Sequence, residues 1–145
     1  MTAYADTGFL CSLYAPDAHT KRATARMTRQ PPPLPFGWLH QLELRNALRL
    51  RVFRGEITES QRDLSLNLIL ADLASGVLAN TSPAHSAVMT EAERLSATHS
   101  GSLGTRSLDI LHVASALVLG ATEFLTFDQR QAQLARATGL RVATL

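Results

Sequence analysis

The chain alternates between short apolar runs of strand length and longer segments with helical spacing. Apolar runs predict β-strands at residues 2–6, just after the segment QPPPLP (30–35), at 77–80, at Glu123–Phe127 and at 140–145. Apolar residues every three or four positions predict helices at residues 19–29, 39–55, 57–76, 82–100, 109–120 and 129–139. Strands that alternate with helices predict a parallel sheet covered on both faces. We therefore expect one α/β domain over residues 1–145, with a central, mostly parallel sheet of about four to five strands.

The predicted helix at residues 39–55 carries two apolar faces. At about 100° per residue, the first face contains Glu43 among the apolar residues Leu39, Leu42, Ala47, Leu50 and Phe53. The second face contains Leu44, Leu48 and Val52. We expect the first face to pack in the core. The second face, with Leu66, Leu70 and Leu73 of the next helix, is expected to be buried in part by another chain.

Four isolated carboxylates, those of Asp6, Glu43, Asp109 and Asp128, lie at the ends of apolar stretches or inside an apolar helix face, with no lysine nearby. Asp6 and Asp128 end predicted strands, where ligands bind in open parallel sheets, and Asp109 opens a helix. Carboxylates that converge repel one another unless a cation intervenes, so convergence predicts a bound divalent metal. Taken singly, Asp109 is also explained as a helix cap, Asp128 as a capping box with Gln131, and Asp6 as a turn residue.

These acids lie in four segments that together resemble the PIN-domain ribonucleases, and within them the VapC-like toxins of bacterial toxin–antitoxin pairs. The segments are YADTGFL, LHQLELRNAL, RSLDILHVASAL and FLTFDQRQAQLARATGLRV. The resemblance implies a PIN-like three-layer fold, an RNA substrate, and Asp6, Glu43, Asp109 and Asp128 as catalytic ligands of Mg²⁺ or Mn²⁺. It also implies a homodimer and a cognate antitoxin, whose amphipathic segment would occupy the groove between the helices at 39–55 and 57–76.

Further residues are predicted to support this site. Gly8 stands where many relatives carry a polar side chain, so we expect the hydroxyl of Thr7 to take its place. Thr126 shares a strand face with Asp128 and is expected to orient the acids. Arg106, three residues before Asp109, is expected to form an ion pair with that carboxylate or, alternatively, to contact a substrate phosphate. His112 is interpreted as a buried, hydrogen-bonded histidine and not as a metal ligand.

Composition and charge change this picture little. The chain is 46% hydrophobic with a formal net charge of +2. Thirteen of its fourteen basic residues are arginines, a composition that suits binding to RNA, binding to an acidic partner, or a solvated helix face. The single cysteine, Cys11, excludes a disulfide framework within one chain. No apolar stretch approaches the roughly 20 residues of a membrane span, so we expect a cytoplasmic protein with no membrane contact. QPPPLP is interpreted as a rigid connector.

The predicted function is that of a metal-dependent endoribonuclease, using one or two ions, that acts as the toxin of a toxin–antitoxin pair. The alternative is a non-catalytic PIN-fold module that binds RNA or protein. A phosphatase of the haloacid-dehalogenase type is disfavoured, because Asp6 is followed by Thr7 and Gly8 and not by the pattern D-x-D-x-T.

Overall fold

The protein is described here by a computed structural model, which covers residues 2–29 and 33–145. Its helices are Thr7–Tyr14 (α1), Thr20–Met27 (α2), Trp38–Phe53 (α3), Glu59–Ser75 (α4), His85–Leu95 (α5), Gly101–Leu103 (α6), Ser107–Val118 (α7) and Gln129–Ala137 (α8). Its strands are Ala3–Ala5 (β1), Leu34–Phe36 (β2), Leu78–Asn80 (β3), Glu123–Leu125 (β4) and Arg141–Val142 (β5). The predicted α/β class is confirmed.

The strands of the described residues pair in parallel throughout, as predicted, and form two hydrogen-bonded sets. One set has the order β1-β4-β5, with Ala5 opposite Leu125. The other pairs β2 with β3, with Leu34 opposite Leu78. Each set belongs to one of two compact units, the first formed by residues 2–6 and 82–144 and the second by residues 7–29, 33–81 and 145. The prediction of a single domain stays a prediction.

In the first unit, aromatic packing joins β1 to the helix that carries Asp109. The ring of Tyr4 stacks on that of Phe124, with 5.7 Å between centroids, and its hydroxyl is hydrogen-bonded to Nδ1 of His112 at 2.9 Å. His112 is buried, as predicted for a structural histidine. This contact ties α7 to the strands whose carboxyl ends carry candidate acids.

The helix that was predicted at residues 82–100 extends further than expected. It passes from α5 through a π-helical turn at Ser96–Ser100 into α6, which ends at Leu103. The sequence had indicated a loop at SGSLGTRS, so the first part of that prediction is wrong. Gly104 caps the end of α6, and its φ of 64° places it in the left-handed region that glycine adopts readily.

In the second unit, α1 packs against α3 and α4, and α4 packs against β3. The pattern did not predict α1, because nearly all of its residues are buried and its sequence, TGFLCSLY, therefore lacks an amphipathic period. Within the proline-rich segment, residues 30–32 lie outside the described residues, so the rigid connector remains untested. The short strand expected after the segment is present as β2, but it begins at Leu34, inside the segment.

The two apolar faces of α3 are oriented opposite to the prediction. Leu44 and Leu48 are fully buried, whereas Leu42 is 72% exposed and Phe53 is 88% exposed. Both faces are apolar, so spacing alone could not decide which of them faces the core. The partner surface that the sequence assigned to Leu44 and Leu48 is therefore core. The exposed apolar residues of α3 and α4 are Leu42, Leu50, Phe53, Leu64, Leu68 and Leu70.

An ion pair links the loop after α1 to α3 within the second unit. The carboxylate of Asp17 accepts hydrogen bonds from the guanidinium of Arg51 at 2.8 Å, the hydroxyl of Ser12 at 2.8 Å and the backbone N–H of His19 at 2.7 Å. Burial acts to raise the pKa of Asp17, but these donors outweigh it and lower the pKa below its usual value. The ion pair therefore contributes more stability when Asp17 is ionised.

We expect Arg51→Met to lower the free energy of unfolding by about 1 kcal/mol at pH 7, since the pair is partly exposed. A carboxyl group with a lowered pKa contributes stability that is present above its unfolded-state pKa, about 4, and is lost as the pH falls through its folded-state pKa. The difference from wild type should therefore shrink below about pH 4. Urea denaturation at pH 7 and pH 3 measures it, with the exposed Arg54→Met as control. A difference that is independent of pH would contradict this role.

Candidate active site

Asp6 and Thr126 lie side by side at the carboxyl ends of β1 and β4. Both side chains are buried, and the Thr126 hydroxyl donates a hydrogen bond to Oδ2 of Asp6. The backbone N–H of Asp6 donates to the carbonyl oxygen of Leu125 at 3.1 Å, which continues the parallel pairing by one residue. The sequence predicted both strands, but β4 ends at Leu125, two residues before the predicted end at Phe127, so Thr126 and Asp128 follow the strand and do not lie on it. The parallel register of β1 and β4 explains why the two residues that follow them meet.

Asp128 is held in the same hydrogen-bond network. Its backbone N–H donates to Oγ1 of Thr126 at 3.0 Å, so Thr126 contacts both Asp6 and Asp128. Oδ1 of Asp128 accepts a hydrogen bond from the backbone N–H of Gln131 at 2.9 Å, which caps α8. The cap is confirmed, but the predicted capping box is incomplete, because the Asp128 N–H donates to Thr126 and Oε1 of Gln131 has no hydrogen-bond partner among the described residues. The cap engages Oδ1 of Asp128 and leaves Oδ2 to other contacts.

The guanidinium of Arg106 lies close to the carboxylates of both Asp109 and Asp128. Asp109 lies in the first turn of α7, and Nε of Arg106 donates to its Oδ2 at 3.3 Å. A terminal nitrogen of the same guanidinium lies 3.9 Å from Oδ2 of Asp128. The predicted ion pair with Asp109 is confirmed. The approach to Asp128 was not predicted, because it depends on a side-chain conformation that spacing does not specify.

In the second unit, Glu43 is half-buried on α3 and is held by Thr7. The Thr7 hydroxyl donates to Oε1 of Glu43 at 2.9 Å, and Thr7 is itself buried at the start of α1. The hydrogen bond expected from Thr7 in place of a side chain at position 8 is therefore present. Thr7 follows Asp6 directly in the sequence.

The structure brings the predicted acids together in pairs. Asp109 and Asp128 meet at Arg106, and Asp6 and Asp128 share Thr126. Within residues 2–29 and 33–145, no three histidine, cysteine, aspartate or glutamate side chains lie close enough together to hold a metal ion. The donor set still fits a hard divalent cation, because it consists of carboxylate oxygens and two of these already face one cationic group.

Comparisons with known proteins place this geometry on a known fold. No protein-family model and no curated protein sequence matches the chain. Among solved structures, the sarcin–ricin loop cleaving toxin VapC20 of Mycobacterium tuberculosis is 17% identical, with a TM-score of 0.71 over 96% of both chains. A chain of the VapBC-1 structure from nontypeable Haemophilus influenzae is 17% identical, with a TM-score of 0.66 over 99% of this chain and 97% of that one. The chain has the fold of the VapC toxins.

The VapC fold confirms the PIN-like architecture that the sequence motifs implied. A chain of Rickettsia felis VapBC2, solved bound to a DNA fragment from its promoter, is similar as well, at 14% identity and a TM-score of 0.65 over 99% of this chain and 98% of that one. At such identities the likeness concerns the fold. None of the helices that the structure describes is long and apolar enough to cross a membrane.

On this VapC fold, α3 and α4 of the second unit form a groove. It has a volume of about 250 Å³ and is lined by Arg45, Arg49, Leu66, Ile69 and Leu70. The resemblance implied a groove between these two helices. Leu44 and Leu48, which the sequence pattern assigned to a partner surface, are buried in the core and do not line it. The groove combines an aliphatic floor with two guanidinium groups, which suits an apolar segment that also carries carboxylates.

Proposed function

We propose that the protein is a metal-dependent endoribonuclease that hydrolyses RNA phosphodiester bonds and acts as the toxin of a toxin–antitoxin pair. The observation that carries this proposal is the hydrogen-bonded acidic network at the carboxyl ends of β1 and β4, in which Asp6, Asp109 and Asp128 are connected through Thr126 and Arg106. The VapC fold supports it, since VapC20 is described as cleaving the sarcin–ricin loop.

In this proposal Asp6, Glu43, Asp109 and Asp128 hold Mg²⁺ or Mn²⁺. The bound cation supplies a water of lowered pKa and neutralises charge on the phosphate. Thr126 fixes the orientation of Asp6, and Thr7 fixes that of Glu43, each by donating its hydroxyl to one carboxylate oxygen. Because Asp6 and Thr7 are consecutive, the two hydrogen bonds restrain neighbouring residues of one short segment.

The proposed protein partner is a cognate antitoxin. VapBC structures from two bacteria are among the similar folds, which supports a partner of this kind. The groove of α3 and α4 provides a surface for an amphipathic segment whose apolar side chains contact Leu66 and Leu70 and whose carboxylates contact Arg45 and Arg49. We also propose a homodimer that buries some of the remaining exposed apolar residues of α3, such as Phe53.

The test of the proposed activity is RNA cleavage by the purified protein with Mg²⁺ or Mn²⁺. The substrates are total RNA and a sarcin–ricin loop oligonucleotide. We expect cleavage with either ion, its loss on chelation, and its recovery when the ion is restored. Cleavage that resists chelation would contradict metal dependence. RNA binding without cleavage under all of these conditions would favour the non-catalytic module.

A further inference from the structure

We propose that the guanidinium of Arg106 holds Asp109 and Asp128 when no metal is bound. A divalent metal displaces this guanidinium, which then binds a phosphate of the substrate. This inference rests on the proposed function, since it concerns the same carboxylates. The sequence left two alternatives for Arg106, an ion pair with Asp109 and a phosphate contact. We infer that they are two states of one side chain.

The geometry makes Arg106 and a metal compete for the same oxygen atoms. The guanidinium contacts Oδ2 of Asp109 at 3.3 Å and lies 3.9 Å from Oδ2 of Asp128. Oδ1 of Asp128 is engaged by the backbone N–H of Gln131 in the helix cap. A divalent cation held by Asp109 and Asp128 would therefore compete with the Arg106 guanidinium for these carboxylates.

Arg106 is placed so that displacement costs little. Its side chain is 68% exposed, and ion pairs this exposed contribute little free energy. Its backbone occupies the N-cap position of α7 with φ −91° and ψ 156°, and its side chain makes no capping hydrogen bond. The guanidinium can therefore move without loss of the helix cap. A divalent ion also attracts each carboxylate more strongly than a single positive charge at equal distance.

Once displaced, the guanidinium remains next to the site with no carboxylate to neutralise it. A guanidinium binds a phosphate through two parallel N–H donors, as it binds a carboxylate. RNA presents such a phosphate at the scissile bond and at each neighbouring nucleotide. Metal binding and phosphate binding are then coupled, because the first releases the donor that the second requires.

The first arm of the test measures Mn²⁺ affinity by calorimetry for wild type, Arg106→Met and Arg130→Met. Arg130 is an exposed arginine two residues after Asp128, so its loss removes the same charge from the same region. We expect Arg106→Met to bind Mn²⁺ about threefold more tightly than wild type, and Arg130→Met to change the affinity far less. Equal effects of both variants would overturn the inference.

The second arm follows the Nε–Hε resonance of Arg106 by NMR, assigned from its absence in Arg106→Met. In the metal-free protein, Asp109→Asn should shift this resonance, and in wild type Mg²⁺ should shift it as well. Inorganic phosphate should shift it further in the Mg²⁺-loaded protein, and Arg106→Met should bind phosphate about tenfold more weakly. An Arg106 resonance that saturating Mg²⁺ does not shift would overturn this inference but not the proposed function. Absence of Mg²⁺ binding by wild type would overturn the proposed function as well.

Discussion

The Asp6→Asn variant is expected to lose RNA cleavage by about a thousandfold or more while it keeps its fold. Asparagine has nearly the shape of aspartate, and its side-chain oxygen still accepts the hydrogen bond from Thr126. The substitution removes the negative charge that we assign to the metal. The loss should therefore appear in kcat and in metal affinity, with little change in thermal stability.

A matched control is available for this variant. Asp63→Asn removes one carboxylate from the exposed face of α4, where Asp63 pairs with Arg62, its neighbour in the sequence. Initial rates on a fluorogenic RNA and thermal unfolding by circular dichroism compare the two variants with wild type. We expect Asp63→Asn to behave as wild type in both. A folded Asp6→Asn protein with wild-type rates would refute the assignment of Asp6.

The second large effect is expected in the core of the second unit. Leu48 is fully buried in α3, so Leu48→Glu places a carboxylate where it has no solvent. Such a substitution costs about 4 kcal/mol or more. Leu70, by contrast, is 55% exposed in the groove, and Leu70→Glu should change the free energy of unfolding by about 0.5 kcal/mol or less.

The Leu48→Glu and Leu70→Glu variants test stability and partner binding separately. Urea denaturation measures the free energy of unfolding, and titration with the proposed antitoxin measures inhibition of RNA cleavage. Leu70→Glu should weaken inhibition, because an added carboxylate disfavours a segment whose own carboxylates bind Arg45 and Arg49. Unchanged stability of Leu48→Glu would show that this face of α3 is not core. Unchanged inhibition by antitoxin in Leu70→Glu would show that the groove is not its binding surface.

The positions of Asp6 and Asp128 were predictable because they depend on local rules. Each follows a short apolar strand, and parallel strands present their carboxyl ends at one edge. The cap formed by Asp128 also follows from a local pattern, an aspartate just before a helical segment. Such features need only the order of the residues along the chain.

Other features depend on packing that the sequence does not encode locally. The faces of α3 were exchanged in the prediction, because Leu42 and Leu48 are equally apolar and only the neighbouring elements decide which is buried. The approach of Arg106 to Asp128 requires a particular rotamer of a long side chain. The division of the strands into two hydrogen-bonded sets likewise depends on contacts between residues that are distant in the sequence.

The central claim is that four carboxylates of this chain hold one metal site. The most direct measurement is anomalous diffraction from crystals of the protein grown with Mn²⁺. We expect an anomalous peak within about 2.1 Å of carboxylate oxygens from Asp6, Asp109 and Asp128, with Glu43 bound directly or through a water molecule. A peak away from these residues, or none at a Mn²⁺ concentration that supports RNA cleavage, would contradict the claim.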